Sequence, residues 1–84
     1  MGKASISAAQ LRAARALLRW TLNELAEKAE VSVNSITRYE TELATPRRAT
    51  LMAIRQAFEA VGVEFIGNGV EGVQRKKPSP QPDR

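Results

Sequence analysis

Apolar residues recur at helical spacing through the first sixty residues, and polar residues mark where each run starts and stops. Leu11, Ala14 and Leu18 share one face, with Arg12, Arg15 and Arg19 between them. Ser7-Ala8-Ala9-Gln10 precedes this run with the form of a capping box, so the pattern predicts a first helix over 8–19. Thr21-Leu22-Asn23-Glu24 repeats the capping form, and the stripe Leu22, Leu25, Ala26, Ala29 predicts a second helix over 22–29. Glu30-Val31-Ser32 interrupts it, and Ser32 suits the N-cap of a third helix over 33–41. That helix has a thin apolar face of Val33, Ile36 and Tyr39, while Asn34, Ser35, Thr37 and Arg38 occupy its other faces. A helix so short and polar does not persist alone, so it must be packed on one side and open on the other. Residues 42–47 read as a loop ending in Thr45-Pro46-Arg47. Leu51, Ile54, Ala57, Phe58 and Val61 predict a fourth helix over 48–61, with Gly62 as its C-cap.

After Gly62 the period changes. Val63-Glu64-Phe65-Ile66 has strand composition, Gly67-Asn68-Gly69 has turn chemistry, and Val70 to Lys76 reads as a returning strand weakened by Gly72. Residues 77–84 carry three prolines and are expected to be disordered. The predicted fold is mainly α, a four-helix bundle with a short C-terminal β-strand or hairpin. It divides into a helical domain over 1–62, a β-extension over 63–76 and a tail over 77–84.

Eighty-four residues suit one domain, and one this small gains from dimerising. The net charge of +4 and the pI of about 10.1 favour a polyanionic partner, nucleic acid or an anionic membrane. There is no cysteine and no histidine, which removes disulfides, the usual zinc ligands and the commonest general base. No enzyme activity, metal or cofactor is expected. No apolar run approaches the roughly 20 residues that span a bilayer, and Met1 to Ser7 lacks a signal-peptide core. A cytoplasmic protein is therefore expected.

The stretch Leu22 to Glu40 is the most informative. Two short helices are separated by three residues, Leu25 and Ala26 face Ile36, and the small Ala26 allows a close crossing. Val31 can plug the angle between them. This is the specification of a helix-turn-helix, whose second helix fits the major groove of DNA. The residues Leu25-Ala26, Ala29, Val31-Ser32, Ile36 and Glu40 also carry a resemblance. Across roughly residues 9–62 the chain resembles the phage repressor and Cro-type helix-turn-helix family, also called the xenobiotic response element family.

The resemblance implies a sequence-specific regulator of transcription, more often a repressor. It assigns base contacts to the start of the third helix, here Val33, Asn34, Ser35 and Arg38. Asn34 suits an adenine edge, Arg38 a guanine edge or a phosphate, and Val33 a thymine methyl. It places Thr21, Ser32, Thr37, Arg15, Arg47 and Arg48 at phosphates. It pairs Arg15 with Glu40, which would lock the third helix and leave Arg15 near the DNA backbone. Two positions depart from the family. Glu30 stands where glycine is usual in a left-handed turn, at a cost of about 1 kcal/mol, and Leu22 stands where a phosphate-clamping glutamine is usual.

The remaining residues have plainer readings. Trp20 is expected to pack at the corner of the first two helices. Arg12 and Arg19 read as solvated charges, as do Arg75, Lys76 and Lys77. Val63, Phe65, Ile66 and Val73 are too apolar for a solvated tail. They are expected to form a homodimer interface by strand pairing about a two-fold axis, which calls for a palindromic operator. The alternative is a protein-interaction module, such as an antitoxin or anti-activator, with a protein partner on the helix-turn-helix scaffold and β-edge. A competing arrangement for the extension is that it folds back on the fourth helix. A membrane-surface role is disfavoured, since no helix joins a broad apolar face to a strongly basic one.

Overall fold

The computed structural model of the chain describes residues 6–67 and 71–75. Four helices are followed by a two-stranded antiparallel hairpin: α1 Ala8–Leu18, α2 Leu22–Ala29, α3 Val33–Glu40, α4 Arg48–Glu59, β1 Val63–Gly67 and β2 Glu71–Arg75. The fold is mainly α, as the periodicity predicts. The expected tail over 77–84, Lys76 and most of the Gly67-Asn68-Gly69 turn lie outside the described residues.

Local side-chain chemistry sets the helix starts. Ser7 and Gln10 form a reciprocal capping box on α1, and Thr21 and Glu24 form one on α2. Ser32 Oγ accepts the Ser35 N–H at 3.1 Å and caps α3. Each bond satisfies a donor that the first turn of a helix leaves orphaned.

The first three helices end in the same way. A residue in the left-handed region follows the helix, and the next N–H reaches back five residues. In α1 these are Arg19 (φ 59°) and the Trp20 N–H on the Arg15 carbonyl; in α2, Glu30 (φ 59°) and the Val31 N–H on the Ala26 carbonyl. After α3 they are Glu42 (φ 60°) and the Leu43 N–H on the Arg38 carbonyl. Glycine is the usual residue at such a position, and none of the three is glycine. The predicted first helix is therefore one residue too long, because Arg19 has already left the helix. Helix α3 likewise stops at Glu40 rather than 41. Helix α4 stops at Glu59 rather than 61. The Val61 and Gly62 N–H groups tighten onto the carbonyls three residues back, and Gly62 takes the positive φ of 93°. Val61 is consequently exposed instead of lying on the buried stripe.

One core joins all the elements. Leu11 and Ala14 of α1, Leu25 of α2, Ile36 of α3, Ile54 and Phe58 of α4, and Val63 of β1 are buried together. Helix α2 packs on α3 and α4, while the hairpin lies with β2 against α1 and β1 against α4. Trp20 stacks on Phe58 of α4 (centroids 5.4 Å apart, planes 17° apart), and Phe65 meets the same ring edge-on at 5.8 Å. Trp20 thus packs across to α4 rather than only at the α1–α2 corner, and each aromatic pair contributes about 1 kcal/mol beyond area burial.

The β-extension is part of this core. Val63 is 2% exposed, and Phe65 and Val73 pack against the cluster. In the ladder Phe65 pairs with Val73 and Ile66 with Gly72. Gln10, itself buried, donates from Nε2 to the Ile66 carbonyl at 3.1 Å and so ties the start of α1 to β1. Of the four apolar residues expected at a dimer interface, Ile66 alone is an exposed side chain. The boundary at 62 separates secondary-structure types but not packing units.

Candidate nucleic-acid interface

Helix α3 is amphipathic in an unequal way. Ile36 is fully buried on the side of α3 that packs on α1 and α2, and Tyr39 anchors the same side by donating its hydroxyl to the Ile6 carbonyl at 2.6 Å. The opposite side is open: Val33, Asn34 and Arg38 are exposed and Ser35 is half-buried. Packing holds the helix at one face, and its polar residues remain free to meet a ligand at the other.

The turn before α3 and the loop after it form the walls of a cleft of about 440 Å³. Ser32, Ser35 and Arg38 line it from α3, Arg47 and Thr50 from the start of α4, and Glu30 from the turn. Arg38 and Arg47 supply positive charge, and Glu30 opposes it. Arg48 is exposed on the first turn of α4. Arg47 occupies the N-cap of α4 without a side-chain hydrogen bond, so the first N–H groups of that helix lack a local side-chain acceptor.

The hydroxyl residues differ in what they have left to offer. Thr21 and Ser32 accept hydrogen bonds from their own helices and keep a proton to donate outward. Thr37 donates its proton to the Val33 carbonyl at 3.0 Å, which leaves only an acceptor for an outside partner. Thr37 serves a phosphate oxygen only by turning that proton outward.

Arg15 reaches from α1 to the end of α3. Its Nε donates to Glu40 Oε2 at 2.5 Å and its Nη2 to Glu40 Oε1 at 3.0 Å, while Nη1 holds the Trp20 carbonyl at 2.8 Å. The hydrogen bond and charge of Glu40 raise the Arg15 pKa above its ordinary value, against the opposing effect of burial. With its guanidinium engaged on three acceptors, Arg15 acts as a structural link more readily than as a phosphate ligand. Sequence reasoning missed its neighbour. Arg12, one turn earlier, is not a free surface charge: its Nη1 donates to the Glu40 carbonyl at 2.6 Å and lies 3.7 Å from Glu42 Oε2. The spacing of three residues between Arg12 and Arg15 was the available signal, since it puts both on one face of α1.

The helix-turn-helix family model matches residues 11–66 of the chain. The chain belongs to the Cro/C1-type helix-turn-helix family. The match runs from Leu11 of α1 into β1, so it takes in α2, α3, α4 and most of α1. Members are DNA-binding regulators of transcription, and this helix-turn-helix protein is one. No curated protein matches it at a significant level. Within the family frame α2 and α3 are the two helices of the motif, and Glu30 holds the left-handed turn between them. No helix among the described residues is long and apolar enough to cross a membrane. Among the same residues no group of three or more acidic side chains could hold a metal ion.

Proposed function

We propose that this helix-turn-helix protein is a sequence-specific repressor that inserts α3 into the major groove of its operator. The carrying observation is the division of α3 into a face locked by Ile36 and Tyr39 and an open face bearing Asn34 and Arg38. Asn34 and Arg38 read base edges, with Val33 and Ser35 beside them. Thr21, Ser32, Arg47 and Arg48 bind phosphates and fix the register on the duplex. Arg15 and Glu40 hold the reading helix in place. Non-specific affinity comes from the arginines and helix N-termini and falls steeply with salt. A homodimer would present two such helices about 34 Å apart and read a palindrome. DNA binding of this kind places the protein with the nucleoid.

Selection of bound sequences from a random pool tests this reading. A recovered palindrome with half-sites about one turn apart supports both readout and symmetry. A pool without any enriched sequence would refute base readout, and would leave the β-edge and a protein partner as the better account.

A further inference from the structure

The last four carbonyls of a helix have no partner within it, and in α3 each finds one. The Thr37 carbonyl receives the Thr41 N–H at 3.1 Å and the Thr41 hydroxyl at 2.9 Å. The Arg38 carbonyl receives the Leu43 N–H at 2.7 Å, and the Tyr39 carbonyl the Glu42 N–H at 2.9 Å. These donors all come from the turn that follows. The Glu40 carbonyl instead receives the Arg12 guanidinium, from another helix 28 residues away in sequence.

The same guanidinium faces Glu42, the left-handed residue on which the turn pivots. Arg12 therefore touches α3 at its last carbonyl and at the strained position just beyond, while Arg15 grips the Glu40 carboxylate. The positive charge also sits at the negative end of the α3 dipole, where it is favourable. Both contacts of Arg12 are solvent-exposed, so they add little to global stability. What they restrict is the angle and fraying of one helix end.

We infer that Arg12 is a positioning residue for DNA readout: it fixes the C-terminal end of α3, and so the aim of Asn34 and Arg38, without touching DNA. The inference rests on the proposed base readout by α3. It separates Arg12 from Arg47 and Arg48, which the proposed function puts on phosphates.

The test compares Arg12→Ala and Arg12→Lys with the natural protein, on the selected sequence and on random duplex DNA over a range of salt. In Arg12→Ala the specific affinity is expected to fall about fivefold, the net worth of one ordinary solvent-exposed hydrogen bond. Affinity for random DNA and the salt slope are expected to stay unchanged. Arg12→Lys, which keeps the charge and a donor, recovers part of the loss. In the DNA-free protein, hydrogen exchange of the Glu42 and Leu43 amides is expected to quicken severalfold in Arg12→Ala, with little change in melting temperature. If random DNA weakens equally and the salt slope drops by about one, Arg12 is itself a phosphate ligand and the inference is overturned. Unchanged exchange and unchanged affinity overturn it too. A natural protein that selects no sequence removes the readout on which the inference rests, and that result appears before any variant is made.

Discussion

Arg15 of α1 holds both carboxylate oxygens of Glu40, the last residue of α3, across 25 residues of sequence. The pair is partly buried, with side chains 23% and 10% exposed. Its worth should lie between the 0–1 kcal/mol typical of exposed pairs and the roughly 3–5 kcal/mol lost when a buried pair is broken. Arg15→Met is expected to destabilise by about 2 kcal/mol, and Glu40→Gln by a similar amount. The double variant should lose less than the sum, because each single change strands the other partner. Urea unfolding measures all three, and simple additivity would show that the two groups are not coupled.

Arg15 also shapes the pH response. Its pKa is raised in the folded state, so the stability it contributes is present below its unfolded value and is lost only as pH rises through the folded one, in strong alkali. The 84 residues contain no histidine. DNA affinity and melting temperature are therefore expected to be flat between about pH 6 and pH 8. A marked step in either across that interval would reveal a titrating group with a strongly displaced pKa.

Asn34→Ala and Arg38→Ala should each cost about 1–3 kcal/mol on the selected sequence and much less on random DNA. Both side chains are exposed, so circular dichroism should show an intact fold. An equal loss on both DNAs would mean backbone contact only.

Glu30→Gly is expected to stabilise the protein by about 1 kcal/mol, since glycine accepts φ 59° without a Cβ conflict. Glu30 also lines the cleft that Arg38 and Arg47 share, so its removal should raise low-salt affinity for random DNA. Thermal melting and binding at two salt concentrations check the two effects separately. A lower melting temperature would show that the Glu30 side chain contributes more than its backbone strain costs.

Truncation at Val61 would remove Val63 and Phe65 from the core, so it cannot separate folding from dimerisation. Ile66→Glu is the better probe, because this side chain is 43% exposed. If the hairpin mediates the dimer, the variant should sediment as a monomer with its helical signal intact and lose high-affinity binding to a palindrome. A variant that stays dimeric moves the interface elsewhere.

Much of this molecule is legible because it is local. A capping box draws on residues within about three positions, and the sequence displays those residues side by side. Ser7 with Gln10 and Thr21 with Glu24 follow from that short-range chemistry, the stripe through Leu25 and Ile36 follows from helical period alone, and the left-handed turn at Glu30 is implied only by the resemblance to the family. The match between motif and family adds the Arg15–Glu40 pairing. What tertiary structure decided are contacts between residues far apart in the chain, where many partners satisfy the same local rule. Phe58 of α4 became the stacking surface for Trp20, and the hairpin sent Val63, Phe65 and Val73 inward while Ile66 stayed exposed. An alternating strand pattern says that one face is buried but not against what. Arg12 shows the same limit on the polar side. Its charge and spacing are visible in sequence, but only the packing of α1 beside α3 brings it to the one carbonyl that the local turn leaves without a donor.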